Sequence, residues 1–485
     1  MDKMIAFCGL ICTECGAFLA TQKDDDNERK KVAELWSREF NADIKPEDIN
    51  CDGCLSGNGR LFSHCKVCEI KKCAQERRVE NCAYCDDYPC QKLSNFLANS
   101  SGAKAILEET RKNLQKKDSS KPIKKEEGMI YKDDWERAKR RMEAWWSREV
   151  IDRIAIQVTA PRENVQVRSA WNWWNLVHNL TYPERAIGEF EKYCRGTYFG
   201  GEAFPNLWIN LGPGIIAAYL GCSPRVGKDT VWFEVTESKS WKEILRLKLD
   251  PGNKWWKITR DLTIQAADYA RGKFFVGITD LNAVLNILAS LRGTEKLLMD
   301  LIDYPSEAKD ACSHITKIWF SCYDELLNIT QRDIEGCSTW MGIWFPGRGS
   351  DVQCDFSAMI SSKMFEEFVL PHLQEQCRQL DHTIYHWDGP GQIPHLELLL
   401  DIPELDGIQW VPGAGNPGVG SPRWFPLYKR IQDKGKLLVL QGMAKENVES
   451  VMDELSPRGL LISTTCDSEE EARELLHKVE QWTKV

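Results

Sequence analysis

Short apolar segments alternate with longer helical segments through most of this 485-residue chain. Eight of the short segments fit buried strands: 153–158, 206–211, 274–279, 339–344, 383–387, 407–411, 436–441 and 459–464. Stretches with helical spacing of apolar residues, for example 282–291, 306–328 and 422–434, separate several of them. Buried strands that alternate with helices are typical of a parallel sheet covered on both faces. Eight such units over about 350 residues predict an α/β fold, specifically a (β/α)8 TIM barrel.

Cysteines are concentrated near the N-terminus, where eleven of the 19 lie within residues 8–90. They are Cys8, Cys12, Cys15, Cys51, Cys54, Cys65, Cys68, Cys73, Cys82, Cys85 and Cys90. Four Cys-x2-Cys pairs in a reducing compartment indicate metal thiolates rather than disulfides. We therefore predict a small, mainly helical, metal-stapled domain over residues 1–110, with zinc or an iron–sulfur cluster as its cofactor. The pattern leaves open whether this domain is structural or carries electrons.

A Lys-rich segment separates the cysteine-rich region from the alternating pattern. Residues 111–132 include Asp118-Ser119-Ser120-Lys121-Pro122 and few side chains that could pack. Such a composition is typical of a linker. The predicted organisation is therefore a metal-binding domain (1–110), a linker (111–132) and a barrel domain (133–485).

The composition argues against two classes of partner. The net charge of −9 is unlike that of a nucleic-acid-binding protein, which is usually basic. No apolar run approaches the roughly 20 residues of a membrane span. The first residues also lack the apolar region of a signal peptide. We expect a cytoplasmic protein with neither a nucleic-acid nor a membrane partner.

Two strand ends near the C-terminus carry residues that bind metals. His386 and Asp388 end one predicted strand, and Cys466 follows the last one. Active sites of barrels lie at the C-terminal strand ends, and residues two apart in a strand share a face. Three N, O and S ligands with one open position are typical of catalytic zinc. The alternative is a small buried cysteine and a hydrogen-bonded histidine with no metal.

Aromatic and amide side chains are the candidates for binding substrate. Indole faces at strand ends suit a methylammonium group or a flat ring, although filling of the core is the alternative. The candidates are Trp340, Trp344, Trp387 and Trp410, with Gln409 as a polar contact and Glu202, Asn206 and Asn210 near the second strand.

Residues 133–485 resemble the uroporphyrinogen decarboxylase-like superfamily. The resemblance lies in Thr279-Asp280-Leu281, Leu291-Arg292-Gly293-Thr294-Glu295, Asp303-Tyr304-Pro305, Asp355-Phe356-Ser357, Met364-Phe365-Glu366-Glu367-Phe368-Val369-Leu370-Pro371 and His386-Trp387-Asp388-Gly389. This superfamily includes zinc-dependent methyltransferases that move methyl groups between corrinoid proteins and thiols. His386 falls where those enzymes carry His-x-Cys-Gly, and Cys466 falls where they carry a distal zinc cysteine. Asp388 replaces the first cysteine, so the thiol acceptor does not carry over.

The resemblance implies a metal-dependent methyltransferase, with zinc as the expected ion, in corrinoid-linked methyl transfer. His386, Asp388 and Cys466 would act catalytically through the bound metal. The corrinoid would come on a separate protein partner, because the chain lacks a corrinoid-binding Asp-x-His-x-x-Gly motif. A small molecule would be the methyl donor or acceptor. The alternatives are a decarboxylase-type lyase acting on a small carboxylate, and a non-catalytic corrinoid- or metal-binding protein with an electron-entry module.

The cysteine-rich region has a resemblance of its own. Cys8-Gly9-Leu10-Ile11-Cys12-Thr13-Glu14-Cys15 and Cys51-Asp52-Gly53-Cys54 resemble an uncharacterised cysteine-rich family of prokaryotes. The resemblance covers residues 5–97 and implies no activity.

Overall fold

The computed structural model divides into two compact units, Met1–Glu126 and Glu127–Val485. It describes residues 4–484 except 40, 57–58, 78, 80, 86–87, 99, 121–128, 164, 166–168, 235–236 and 333, and it leaves out the side chains of 76, 101 and 112–120. The predicted linker at 111–132 stays a prediction. A helix covers its first part, and residues 121–128 of the linker lie outside the described residues.

The N-terminal unit is helical where it is described. Its helices are α1 (Gly16–Lys23), α2 (Asp26–Glu39), α3 (Ser63–Val67), α4 (Glu69–Glu76), α5 (Gln91–Leu97) and α6 (Ser101–Ser120), with short 3-10 helices at Cys12–Glu14, Pro46–Asp48 and Cys82–Tyr84. Two small clusters of buried side chains, about half of them alanine, form its core. Alanine removes little apolar surface from water, so these cores contribute little stability by themselves.

The C-terminal unit contains the remaining helices and all of the strands described. The helices are α7 (Trp135–Trp146), α8 (Asn175–His178), α9 (Pro183–Gly196), α10 (Ile216–Tyr219), α11 (Trp241–Ile244), α12 (Lys254–Ala270), α13 (Val284–Arg292), α14 (Thr294–Asp303), α15 (Pro305–Thr330), α16 (Ser362–Phe368), α17 (Leu370–Gln379), α18 (Leu396–Leu400), α19 (Phe425–Asp433), α20 (Val448–Glu454) and α21 (Glu469–Trp482). The strands are β1 (Ala155–Pro161), β2 (Thr197–Gly201), β3 (Asn206–Trp208), β4 (Ser223–Val226), β5 (Val231–Glu234), β6 (Phe275–Gly277), β7 (Gly349–Gln353), β8 (His382–Asp388), β9 (Gly407–Val411), β10 (Leu437–Met443) and β11 (Leu460–Thr465).

Parallel pairing dominates the main sheet, which has the order β2-β1-β11-β10-β9-β8-β7. Only the β1–β2 ladder in it is antiparallel among the described strands. Strands β3 and β6 form a separate parallel pair, and β4 and β5 form an antiparallel hairpin. These ladders confirm the α/β class. Within the described residues, no ladder joins the β3–β6 pair to the main sheet, so barrel closure stays a prediction.

One predicted strand is wrong, and a neighbouring one was missed. Residues 339–344 do not form a strand, although Thr-Trp-Met-Gly-Ile-Trp is apolar enough for one. The carbonyl of Met341 accepts from the Gln441 side chain, and that of Gly342 accepts from Gln157. Side chains therefore use backbone groups that a ladder would otherwise need. The strand is β7, whose polar sequence Gly-Ser-Asp-Val-Gln is fully buried.

A single continuous core fills the C-terminal unit. It extends from Met129 to Val479 and includes the buried apolar residues of β8 to β11. Because parallel strands share a direction, the C-terminal ends of β7, β8, β9 and β10 meet at one edge of the sheet. Polar residues are found at that edge, where β8 ends in His386-Trp387-Asp388. No helix in the described part of the chain is both long enough and apolar enough to cross a bilayer.

Candidate metal site at the strand ends

Three side chains at this edge are close enough to share one ion. The ligand atoms of Asp355, His386 and Asp388 all lie within 4.8 Å of one another. Two adjacent strands bring them together, since β7 pairs with β8 so that Gln353 is opposite His386. Asp355 begins a short 3-10 helix two residues beyond β7. Solvent reaches the group, as an open coordination position requires.

Strand alternation selects which residues of β8 face this site. His386 and Asp388 are two apart and share a face, whereas Trp387 between them points to the opposite face. His386 and Asp388 are partly exposed, and Trp387 is completely buried. The sequence His-Trp-Asp therefore supplies two ligands to one side of the sheet and one core side chain to the other.

A chain of amides fixes the tautomer of His386. Its Nδ1 lies 2.6 Å from Oε1 of Gln409, whose Nε2 donates to Oε1 of Gln441. Gln441 Nε2 in turn donates to the carbonyl of Met341 at 2.7 Å. A backbone carbonyl can only accept, so the direction of every bond in the chain follows from this last one. His386 must donate from Nδ1, which leaves the lone pair of Nε2 free to bind a metal.

The two carboxylates differ in their partners. Asn286 Nδ2 donates to Asp355 Oδ2 at 2.9 Å, whereas Asp388 has no hydrogen-bond partner among the described residues. Burial raises the pKa of Asp355, while His386 lowers it and Asp388 raises it. Two close carboxylates in such surroundings repel each other, and a cation between them would relieve that repulsion.

Two further carboxylates lie deeper in the unit. Asp351 in β7 accepts from the indole nitrogen of Trp340, and its Oδ1 is buried without a partner among the described residues. Asp280 accepts from the backbone of Asn282 at 2.7 Å and from Gln353 at 3.0 Å. Burial, reinforced by the charge of Asp351, raises the pKa of Asp280 to about 8. Asp280 is therefore largely protonated at neutral pH.

Trp340 and Gln409 are the two substrate candidates that lie at the site. The Trp340 ring meets the His386 ring edge-on, with 5.0 Å between centroids, and is partly exposed. Gln409 is buried, and both ends of its amide are engaged in the amide chain. It orients His386 rather than offering a free polar group to a substrate.

Two other tryptophans point away from the site. Trp387 and Trp410 are paired across β8 and β9, with ring centroids 4.5 Å apart, and neither is exposed. Trp387 donates to the carbonyl of Gln392, and Trp410 packs on Trp424. The expectation that they line the pocket is corrected, because strand alternation turns them toward the helices.

The remaining substrate candidates have structural partners. Trp344 is buried and donates to the carbonyl of Glu335. Glu202 is completely buried in an ion pair with Arg153, whose Nη1 lies 2.6 Å from it. Asn206 donates to the carbonyl of Thr339. Asn210 donates to that of Trp173. None of these four side chains belongs to the metal-ligand group.

Cys466 does not join His386 and Asp388 within the described structure. The group of ligand atoms at the strand ends comprises Asp355, His386 and Asp388 instead. Cys466 is buried just after β11, two strands beyond β9, and its backbone N–H donates to the carbonyl of Thr159. Burial, with Glu471 nearby, raises the pKa of its thiol to about 11.

Sequence reasoning missed Asp355 and Gln441 as site residues. Asp355 follows β7, the strand that was not predicted, so no strand end drew attention to it. In the sequence, Asp355 stands out only within Asp355-Phe356-Ser357, one of the segments that carry the superfamily resemblance. Gln441 ends the apolar segment 436–441, and a polar residue at a barrel strand end was the signal that could have identified it.

The eleven N-terminal cysteines lie around two cavities in their own unit. Seven line the larger one: Cys8, Cys12, Cys15, Cys51, Cys54, Cys65 and Cys68. The other four, Cys73, Cys82, Cys85 and Cys90, line the smaller. All eleven are described as free thiols.

Comparisons with known proteins identify part of the chain by similarity. Residues 4–95 match a family described as a protein of unknown function (DUF3795), in agreement with the resemblance of residues 5–97. Among solved structures, a methyltransferase from Methanosarcina mazei is similar, with 11% identity and a TM-score of 0.46, over 71% of this chain and 98% of that one. No curated protein matches.

Proposed function

We propose that the C-terminal unit is a metal-dependent methyltransferase whose ion is bound by Asp355, His386 and Asp388. The observation that carries the proposal is the convergence of these three ligand atoms, all within 4.8 Å of one another. Methyl transfer is supported by the resemblance of residues 133–485 to the uroporphyrinogen decarboxylase-like superfamily. Asp355 takes the place that the sequence assigned to Cys466.

The donor set suits a divalent cation of intermediate hardness. One imidazole and two carboxylates are accepted by zinc, manganese, iron and cobalt, and the set contains no thiolate that would favour softer ions. The orphaned Nε2 of His386 and the unpartnered carboxylate of Asp388 are groups that such an ion would satisfy. Zinc remains the ion that we propose on the resemblance.

A bound cation would supply Lewis acidity, which lowers the pKa of a coordinated thiol or water. The side chains of the protein would hold the metal ligands and form the wall of the site. Asn286 holds the Asp355 carboxylate, the amide chain holds the His386 ring, and Trp340 forms a wall beside that ring. A partly exposed indole beside the ligands suits an apolar or cationic methyl donor.

Three finer parts of the proposal rest on the resemblance and on strand order. The corrinoid would arrive on a separate protein, and a small molecule would donate or accept the methyl group. The eight parallel strands would close as a barrel. The β1–β11 ladder supports closure, since it joins the first parallel strand of the unit to its last.

Manganese binding to the full-length protein tests the ligand set. Carboxylates and imidazole suit Mn²⁺, whereas cysteine thiolates do not, so the N-terminal cysteines will not interfere. We expect Asp355→Asn to weaken Mn²⁺ binding at least about tenfold in calorimetry and Cys466→Ala to leave it unchanged. A loss in Cys466→Ala with unchanged binding in Asp355→Asn would instead support the set His386, Asp388 and Cys466.

Methyl transfer is tested with methylcobalamin and a panel of thiols and amines as acceptors. The metal-loaded protein should demethylate the corrinoid, and Asp355→Asn should do so at least about a hundredfold more slowly. A metal-loaded protein that binds methylcobalamin without demethylating it would contradict the methyltransferase and favour a non-catalytic carrier.

A second candidate function is favoured by Asp280. A carboxyl group that is protonated at neutral pH can donate a proton to a carbanion, as a decarboxylase-type lyase acting on a small carboxylate requires. This chemistry needs no metal. Full turnover of a carboxylate substrate after exhaustive chelation, abolished by Asp280→Asn, would favour the lyase over the methyltransferase.

A further inference from the structure

Seven cysteine side chains of the N-terminal unit surround one cavity of about 430 Å³. They come from three parts of the chain that are distant in sequence. Cys8, Cys12 and Cys15 lie in and around the first 3-10 helix, Cys51 and Cys54 lie in a loop, and Cys65 and Cys68 lie in α3 and just before α4. We call this group the seven-cysteine cavity. No metal or cofactor has been assigned to it by any similarity.

Backbone N–H groups donate to three of these sulfurs. Leu10 donates to Cys8, Cys54 donates to Cys12 at 3.4 Å, and Phe62 and Gly53 donate to Cys51.

Two glycines make these turns possible. Gly9 and Gly53 have φ angles of +93° and +94°, a conformation that other residues rarely adopt. A Cβ at Gly9 would lie 2.5 Å from the carbonyl oxygen of Ala103. The turns at Cys8-Gly9 and Cys51-Asp52-Gly53 therefore require glycine at these two positions.

The sulfurs contact each other in pairs. Cys12 contacts Cys54, and Cys51 contacts Cys65, with Cys54 and Cys65 linking the two pairs. No three cysteine sulfurs in the described residues lie within 4.8 Å of one another. Four thiolates on one zinc ion, with bonds of about 2.3 Å, would be about 3.8 Å apart. The arrangement is therefore too wide for one ion.

We propose that the seven-cysteine cavity binds an iron–sulfur cluster, with Cys12 and Cys54 as one ligand pair and Cys51 and Cys65 as the other. The cavity that these cysteines line has a volume of about 430 Å³, far more than one metal ion occupies, so it has room for a cofactor in which bridging atoms join several metal ions. Inorganic sulfide supplies those bridges in iron–sulfur clusters, which four cysteines bind.

The smaller cysteine group differs in size and supplies a matched control. Cys73, Cys82, Cys85 and Cys90 line a cavity of about 20 Å³, which leaves room for little more than one atom. Cys85, like Cys54, is the second cysteine of a Cys-x2-Cys pair. A Cys85→Ser variant removes a thiol of the same kind without altering the seven-cysteine cavity.

The test uses the full-length protein, depleted of metal and reconstituted without oxygen with ferrous iron and sulfide. We expect bound iron and acid-labile sulfide in about equal amounts, with a broad visible absorption that bleaches on reduction. Cys12→Ser/Cys54→Ser and Cys51→Ser should each lose most of the iron and sulfide, and Cys85→Ser should keep them.

Two results would overturn the proposal. If the wild-type protein takes up zinc in the absence of sulfide and retains no sulfide after reconstitution, the cavity binds zinc alone. If Cys85→Ser loses as much iron and sulfide as Cys51→Ser, the cluster is not confined to the seven-cysteine cavity. The first result needs no variant, so the test remains decisive even if a cysteine variant fails to fold.

Discussion

The two units of this protein differ in the size and composition of their cores. The N-terminal unit has two small, alanine-rich cores and surrounds its cavities with thiols. The C-terminal unit has one continuous core, and it holds its candidate metal ligands at one edge of the sheet. In the first unit cysteine thiols occupy the place of a core, whereas in the second the core positions the candidate ligands. Metal removal should therefore unfold one unit and spare the other.

Removal of metal should produce the largest difference between the units. Structural metals contribute roughly 10 kcal/mol or more to the folding of small domains, and the N-terminal cores have little else to replace them. Exhaustive chelation should abolish protection from hydrogen exchange in α1 and α3 to α5, and leave β8 to β11 protected. Unchanged exchange in the N-terminal helices would mean that alanine packing is sufficient.

Core truncation should affect the C-terminal unit without affecting its ligands. Trp387 is completely buried beside two ligands, and its removal leaves a large cavity. We expect Trp387→Ala to lower the free energy of unfolding of this unit by about 3–5 kcal/mol in denaturant titration. Trp340→Ala is the control, because that ring is partly exposed. It should cost less stability and change Mn²⁺ affinity more.

Loss of the amide chain should weaken the site without destabilising the fold. Gln441→Leu leaves Gln409 free to reverse its amide, so the tautomer of His386 is no longer fixed. Loss of such a supporting bond typically lowers metal affinity about 10–100-fold. Calorimetry with Mn²⁺ would measure this. Gln432→Leu, at a glutamine far from the site, should leave the affinity unchanged.

The smallest effect concerns His372 in α17. Burial lowers the pKa of His372 to about 4. As the pH falls, His372 therefore takes up a proton near the normal histidine pKa in the unfolded state. In the folded state it takes up a proton only at a much lower pH. Stability should fall by about 1 kcal/mol between neutral pH and about pH 5.5 because of this group. His372→Leu should lose that part of the pH dependence. An unchanged profile would show that the imidazole is accessible in the folded protein.

The α/β class and most strand positions could be predicted because apolar runs are a direct consequence of burial. Segments 383–387, 407–411 and 436–441 correspond closely to β8, β9 and β10. Strand β7 could not be predicted, because its buried polar side chains Asp351 and Gln353 bond to Trp340 and Asp280, which lie outside the strand. The apolar segment 339–344 resembles a strand in sequence but does not form one, because side chains from other parts of the unit donate hydrogen bonds to its carbonyl groups.

At the site, His386 and Asp388 could be predicted as a pair because strand periodicity alone places them on one face. The third ligand depends on which strands are neighbours, which the sequence does not show. Asp355 follows the adjacent β7, whereas Cys466 follows β11, which the sheet order places farther from β8. The same periodicity that paired His386 with Asp388 also excluded Trp387 from the pocket, a consequence that the sequence already contained.

The β1–β11 ladder has a consequence for how the chain folds as it is made. Ala155 is paired with Leu461, so about 300 residues must be synthesised before β1 acquires its second neighbour. Until then one edge of β1 has unpaired backbone groups that can pair with other chains. To avoid such pairing, a nascent chain of this kind depends on chaperones or on rapid completion of the sheet. The N-terminal unit, by contrast, can fold while the rest of the protein is still on the ribosome.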